Sequence, residues 1–411
     1  MNTAWSVLEP SVDLPRAWGV ARIGDIADLV NGYPFASESF APAGDIPLIR
    51  IRDLLTDQFE TYVSGRVPPH SLLRDGDLVI GMDGDFNLAL WNRGPAALNQ
   101  RLCLLRPRLG TDIRFVAYAL PMLLSIVNDL TFSTTVKHLS SGQVLAERIP
   151  WPPLEEQRRI ADFLDAETAR IDKLLNHRSR VRALLVLKRG RVIEEQLGLN
   201  SVDTRLVPLK YLVDDVSVGI VITPAAWYVD EGGIPALRGI NVKPGRIVQD
   251  DIVRISEEGH AFHHKSRLRA GDLVVVRTGQ AGVAAVVPPE FAGANCIDLV
   301  IVRPAVDLLP RYAEYVLNSS YAQRRIGEYS VGTIQSHFNV SAMKQMPIPV
   351  ISYHEQKRRV DAVDLQVESM DSLSESYLRQ ERLLSERRQA LITAAVTGQI
   401  DVTTARGVDV S

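Results

Sequence analysis

Apolar and polar positions alternate between two regimes along this chain of 411 residues. Short apolar runs punctuated by Gly, Pro and Asp fill roughly 15–150 and 203–350. Leu78-Val79-Ile80 and Leu273-Val274-Val275-Val276 each follow a Gly-Asp pair and read as buried strands after a tight turn. Phe115 to Leu120 and Tyr312 to Leu317 read as short helices, so each of these regions is predicted to be α/β or α+β.

Each region is followed by a stretch with helical periodicity. The first comes after Pro152-Pro153 and opens with Glu155-Glu156, acids that favour a helix N-terminus. The second opens with Ser352-x-x-Glu355, the pattern of a capping box. Gly198 and Gly398 are the predicted stops. At ~1.5 Å per residue, ~44 residues give a helix of roughly 65 Å.

A 4-3 spacing in the first helix selects Ile160, Leu164, Ile171, Leu174, Val181 and Leu185 as an apolar seam, interrupted by Glu167, Arg178 and Lys188. The corresponding seam in the second helix is Val363, Met370, Leu373, Leu384 and Leu391. Helices this long need a partner to bury their stripes. The simplest pairing sets one antiparallel to the other as a coiled coil, with pseudo-two-fold symmetry and similar globular parts separated by the helices.

The two halves repeat one another. Ile23 to Val30 has the pattern of Leu209 to Val216, an offset of 186. Ile46-Pro47-Leu48-Ile49-Arg50 echoes Ile234-Pro235-Ala236-Leu237-Arg238, and Gly76-Asp77-Leu78-Val79 echoes Gly271-Asp272-Leu273-Val274. Arg106-Pro107 matches Arg303-Pro304. His138, Ile149-Pro150 and Glu156-Gln157 recur as His337, Ile348-Pro349 and Glu355-Gln356, all at an offset of 199. The order is kept and the offset grows in one direction, as in a duplicated unit with loop insertions in its second copy.

Bulk composition narrows the class without deciding it. The chain is 46% apolar and 23% charged, ordinary for a globular protein. No run of 18 apolar residues is present, and Met1 to Trp5 lacks the basic-then-apolar order of a secretory signal. With Cys103 and Cys296 the only cysteines, a disulfide framework is excluded and a reducing cytoplasm is expected. The formal net charge of −3 is unusual for a dedicated nucleic-acid binder, but a basic groove can coexist with acidic surface elsewhere. Two similar, non-identical heads suit a linear target with two separate sites, and DNA presents such sites about every 34–36 Å along one side.

The ordered set resembles the specificity subunit of Type I restriction-modification systems over about 15–400. The resemblance rests on the Ile-Pro to Gln segments entering the long helices (Ile149 to Gln157, Ile348 to Gln356) and on the Gly-Asp-Leu turns at 76–78 and 271–273. Val331-Gly332-Thr333-Ile334-Gln335 and the ending Arg388 to Ile400 carry it further. It implies target-recognition domains at 1–151 and 200–351, with conserved helical spacers at 152–199 and 352–411. It implies a bipartite, asymmetric double-stranded DNA target with an unread spacer. It also implies methyltransferase subunits, two of them, docked on the helices, and motor-nuclease restriction subunits joining for cleavage. S-adenosylmethionine and ATP belong to those partners, and this chain is expected to bind no cofactor.

Base readout needs donors and acceptors that reach a groove. After the buried strand of the second head stand Arg277, Thr278 and Gln280, with the Arg and Gly that the family often has there. The matching stretch of the first head keeps Gly84 but lacks the Arg, and offers Asp83, Asp85 and Asn87. These acids are either acceptors from a base amine or caps of a turn. Thr134, Lys137 and His138, with Thr333, Gln335 and His337, form a second region that suits phosphates and base edges. The histidines there have the alternative of tying down the following helix. Arg50 and Arg52, with Arg238 and Asn241, form the third, where Arg50 and Arg238 have the alternative of structural ion pairing. The Arg-rich stretches Arg178 to Arg191 and Arg379 to Arg388 read as a solvated or partner-binding face.

No catalytic motif emerges. The pairs Pro68-Pro69, Pro152-Pro153 and Pro288-Pro289 lack the Asn/Asp-Pro-Pro-aromatic setting of an amino-methyltransferase. No phosphate loop is present. His260, His263 and His264 lack grouped Cys or acidic co-ligands and read as loop or DNA-facing residues rather than a metal site. The rival to a DNA reader is a two-headed coiled-coil adaptor that binds proteins. If the helices set the separation of two DNA half-sites, deleting matched turns from both should change the unread spacer and leave the half-sites as they were. Methylation-motif sequencing of such a mutant checks this, and an altered half-site would contradict it.

Overall fold

The computed structural model describes residues 4–8, 13–56, 58–130, 137–199, 205–330 and 338–402. The chain divides into two compact units. Unit one runs to His177 and resumes at Gln380, and unit two spans Arg178–Arg379.

Each unit is built around an antiparallel sheet of four strands. In unit one the spatial order is Ala27–Asn31, Leu102–Pro107, Leu78–Gly81, Leu88–Leu90. In unit two it is Val213–Val218, Leu299–Pro304, Leu273–Val276, Ala284–Val286. The same strand order arises from the repeated sequence positions, since Gly-Asp-Leu-Val and Arg-Pro mark neighbouring strands in both copies.

A second sheet packs on each. Its central feature is a short parallel pair, Leu48 against Ala97 in unit one and Ala236 against Asn295 in unit two. The chain enters it past a glycine that leaves no room for a side chain. A Cβ on Gly32 would lie 1.9 Å from the Asn99 carbonyl oxygen, and one on Gly219 would lie 2.4 Å from that of Cys296.

The matched motifs meet in space. Gly76 and Gly271 take positive φ (92° and 88°), the left-handed turn glycine tolerates. The next residue is a buried aspartate that closes the turn: the backbone NH of Arg74 donates to Asp77 at 3.0 Å, and that of Arg269 to Asp272 at 2.8 Å. The Arg of Arg-Pro then reaches the same carboxylate. Arg106 donates two bonds to Asp77, at 2.9 and 3.0 Å, and Arg303 lies 3.6 Å from Asp272. Two motifs far apart in sequence are thus the halves of one ion pair in each unit.

The helix after the sheet differs in length. Unit one has a single helix, Ile113–Leu130, longer than the short helix its apolar pattern predicts. Unit two breaks the same path into Pro310–Asn318 and Ser320–Ser330, with Ser319 in extended backbone between them.

The long helices are Leu154–Leu197 and Tyr353–Val396, 44 residues each. Both end in a Schellman motif. Leu199 NH donates to the Glu194 carbonyl and Gly198 NH to that of Glu195; Gln399 and Gly398 do the same to Ala394 and Ala395. The second helix uses half of the expected capping box. Ser352 Oγ accepts from Glu355 NH at 3.3 Å, while the Glu355 carboxylate turns along the helix to Arg358 and Arg359, at 2.6 and 2.7 Å.

The helices pair antiparallel within each unit. In unit one Arg388 bonds Asp172 at 3.0 Å. In unit two Arg178 lies over the Tyr377 ring, Arg189 bonds Asp371 at 2.8 Å, and Arg359 donates to the Leu197 carbonyl at 2.7 Å. Partner numbers fall as the first helix advances, which fixes the direction.

Burial along the pair is uneven. Ile160, Leu164, Ile171 and Val363 are buried. Leu174, Val181, Leu185, Met370, Leu384 and Leu391 are half-buried, and Leu373 is exposed. Ile392, Ala395 and Val396 complete the unit-one core, as Ile193, Leu197, Val360 and Val367 complete that of unit two. These helix ends pack on sheet and helix residues rather than on a partner helix alone, which moves their apolar positions off a strict 4-3 spacing.

A buried glutamine docks each globular part on its long helix. Gln157 accepts from the Asp112 NH at 2.9 Å and donates to the Pro152 carbonyl at 2.9 Å. Gln356 accepts from the Leu309 NH at 2.8 Å and donates to the Asp307 carbonyl at 2.9 Å. A buried NH stripped of its acceptor costs roughly 1–3 kcal/mol. Gln157→Ala should therefore speed hydrogen exchange at the Asp112 amide by roughly five- to a hundredfold and leave Leu309 unchanged. Gln356→Ala should do the reverse. Equal acceleration of both amides in either variant would contradict the local role of each clamp.

Candidate nucleic-acid interface

In both units the third candidate region folds as a 3₁₀ turn directly after the parallel strand. Its first and fourth residues close a reciprocal cap. Asp53 accepts from the backbone NH of Arg50 at 3.1 Å and from its Nε at 2.8 Å. Asn241 accepts from the Arg238 NH at 2.8 Å, and its amide donates to the Asp250 carbonyl at 2.7 Å. Asn241 is wholly buried, and both ends of its amide are engaged by the main chain. As placed, it holds the turn and presents no edge to a ligand. Arg238 reaches the carbonyl and carboxylate of Asp251, at 2.7 and 2.8 Å. Arg52 is exposed, 3.5 Å from Glu60.

The loop after the buried strand lies beside that turn. In unit two the turn and the loop enclose a groove of about 460 Å³ lined by Arg238, Ile240, Lys243, Thr278, Gln280 and Asp298. Three residues singled out from the sequence, Arg238, Thr278 and Gln280, thus share one surface. Arg277 Nη1 lies 2.5 Å from Asp298 Oδ1, and Thr278 Oγ1 lies 3.3 Å from Asp298 Oδ2. A neighbouring groove continues from Lys243 and Gln280 to Gln323.

In unit one the same loop carries the opposite charge. Asp83 lies 3.6 Å from Arg101 Nε and 2.7 Å from His138 Nδ1. Gly84 NH donates to the Lys137 carbonyl at 3.1 Å. Lys137 Nζ donates to Asn128, whose amide returns a bond to the Gly84 carbonyl at 2.6 Å. Asp83, Lys137 and His138, from two separate candidate regions, therefore form one cluster. Asp85 and Asn87 are exposed on the rim of a groove of about 400 Å³ shared with Ser125, Asn128 and Asp129. Thr134, Thr333, Gln335 and His337 lie outside the described residues.

The two loops contact the same neighbouring position from adjacent loop residues of opposite charge. Arg277 faces Asp298 in unit two, and Asp83 faces Arg101 in unit one. Arg101 and Asp298 stand at corresponding positions, just before the strands Leu102–Pro107 and Leu299–Pro304. Sequence reasoning missed both, along with Lys243 and Ile240. The signal was present in the repeat offset of 197 carried by Arg106 and Arg303, which also relates 101 to 298.

Each interface is anchored to the long helix from behind. Arg114 bonds Asp162 and Asp165 at 2.7 and 2.8 Å, and Tyr118 bonds Asp165 at 2.8 Å. Arg311 and Tyr315 repeat this on Asp364. Burial, with Asp165 alongside, pushes the Tyr118 hydroxyl up to about 12, so it stays a donor at neutral pH.

Cys103 is buried and its thiol is pushed up to about 12 by desolvation, and Cys296 is raised likewise. Neither is an activated nucleophile. Among the described residues no group of three or more His, Cys, Asp or Glu could hold a metal ion. His260 instead bonds Asn295 at 2.5 Å, and His263 packs edge-on against Trp227. Also among the described residues, no helix is long and apolar enough to cross a membrane.

Residues 15–180 match the family of the Type I restriction modification DNA specificity domain. The Type I restriction enzyme EcoBI specificity subunit of Escherichia coli is 28% identical, over 97% of this chain and 90% of that one. The MjaVIII specificity subunit of Methanocaldococcus jannaschii is 20% identical, over 95% and 94%. A chain solved in work on complex assembly and conformational transition of the type I R-M system superimposes with a TM-score of 0.69. That match spans 94% of this chain and all of the other at 20% identity, and it shows a shared fold. Residues 15–180 thus match a Type I restriction modification DNA specificity domain, and the chain along nearly its whole length is similar to the specificity subunits of Type I restriction enzymes.

Proposed function

We propose that this chain is the specificity subunit of a Type I restriction-modification system and reads a split, asymmetric site in double-stranded DNA, with one half-site for each target-recognition domain, 1–151 and 200–351. It works in the cytoplasm beside methyltransferase subunits, two of them, which dock on the helical spacers at 152–199 and 352–411. Motor-nuclease subunits join for cleavage. The chain itself catalyses nothing and binds no cofactor; S-adenosylmethionine and ATP act on the partners.

One observation carries this reading. The two units share their strand order, turn caps, aspartate–arginine pairs and glutamine clamps, yet their grooves differ in charge, with Arg238, Lys243 and Asp298 lining that of unit two and Asp85 and Asp129 that of unit one. A duplicated scaffold with divergent rims is what reading two different half-sites requires. Arg, Lys, Gln, Asn and Asp on those rims are the residue types that meet phosphates and base edges.

The test is equilibrium binding of the complete methyltransferase complex to duplexes carrying its methylated motif. Affinity is expected to fall steeply with salt, as counterion release demands. Scrambling either half-site alone should weaken binding by a factor of a thousand or more, the usual order of the specific-to-nonspecific ratio. Affinity indifferent to salt and to both half-sites would favour the adaptor.

A further inference from the structure

We propose that the outward residue of the 3₁₀ turn is a base-reading position in each unit, Arg52 for a guanine and Ile240 for the methyl group of a thymine. This rests on the DNA reading above and assigns chemistry to it.

The turn is one scaffold used twice. Its first and fourth residues, Arg50 and Asp53 or Arg238 and Asn241, are committed to the cap. Its second residue faces the end of the neighbouring buried strand. Ile51 lies 3.7 Å from where a Cβ on Gly81 would stand, and Val276 lies 3.5 Å from the same point on Gly239. That leaves the third residue. It points outward in both units, with Arg52 64% exposed and Ile240 51% exposed. Backbone and caps agree between the copies, while the outward side chain changes from a cation to a hydrocarbon.

The surroundings suit each residue to a different base. Ile240 stands in the groove among Arg238, Lys243, Thr278 and Gln280, with Ile297 beside it. The polar neighbours can meet phosphate and base edges. A half-exposed isoleucine adds an apolar surface, and the thymine methyl is the apolar group a major groove displays. Arg52 lies 3.5 Å from Glu60, itself 73% exposed, and 3.9 Å from Asp53, whose carboxylate the cap already engages. An exposed ion pair of this kind is weak. The guanidinium is therefore available for the paired acceptors O6 and N7 of guanine.

The experiment uses the complete methyltransferase complex with Arg52→Ala or Ile240→Ala. Both side chains are exposed, so neither change opens a cavity in the core. Motif sequencing should show Arg52→Ala relaxing one G·C position in one half-site, and Ile240→Ala relaxing one T·A position in the other. Base analogues give an independent readout. 7-Deazaguanine at that guanine should weaken wild-type binding about tenfold. Deoxyuridine at that thymine should weaken it about fourfold, the worth of one methyl group. Each variant should be insensitive to its own analogue and keep the wild-type response to the other. If both variants keep the full motif and both analogue responses, these positions read no bases and the inference is overturned, while the split motif itself still stands. If the wild-type complex has no split motif, the inference falls together with the reading beneath it.

Discussion

A buried amide must find partners for both of its ends, and Gln157 and Gln356 make that requirement the joint between sheet and helix. Each sits in the first turns of a long helix and accepts from the backbone NH just before or at the start of a helix in the globular part. The bond spans 45 residues in unit one and 47 in unit two, so it forms only when the parts are already docked. Arg114 and Tyr118 on Asp165, and Arg311 and Tyr315 on Asp364, brace the same junction about two turns further along. These pairs are partly exposed, and each is worth little alone. Their role is orientation: they hold the sheet, and therefore the loops at its edge, at a fixed angle to the helix.

With that joint fixed, the loops can diverge at low energetic cost. The buried aspartate after each turn glycine, and the arginine that meets it, fix where each buried strand begins. The loop beyond the strand inherits a fixed starting point and direction. It can then carry Arg277 facing Asp298 in one unit, or Asp83, one position further along the loop, facing Arg101 in the other. Conserving the interior and varying the rim is the economical way for one fold to recognise different sequences, because surface exchanges cost little stability compared with core ones.

Most of the architecture was legible in the sequence because repetition exposes it. Matched motifs at a slowly growing offset marked the duplication, and helix stops at Gly198 and Gly398 followed from the left-handed conformation that glycine accepts. The meaning of the motifs was less visible. Gly-Asp-Leu and Arg-Pro look like independent signals until the sheet places Asp77 beside Arg106. Asn241 has the residue type of an adenine reader, and only its burial shows it bound up in the turn. Ile240 failed to attract notice for the opposite reason: an isoleucine after a strand reads as core until its exposure is known. The uneven helix seam was hidden too, because periodicity cannot tell a stripe facing a helix from one facing a sheet.

The central claim is that this chain chooses a split DNA sequence for a methyltransferase. Single-molecule sequencing of methylated host DNA, with and without the gene, tests it most directly. The account predicts that one asymmetric, two-part motif loses its adenine methylation when the gene is deleted and regains it on complementation. A methylome in which no motif changes, in a host whose partner methyltransferase is expressed, would contradict it.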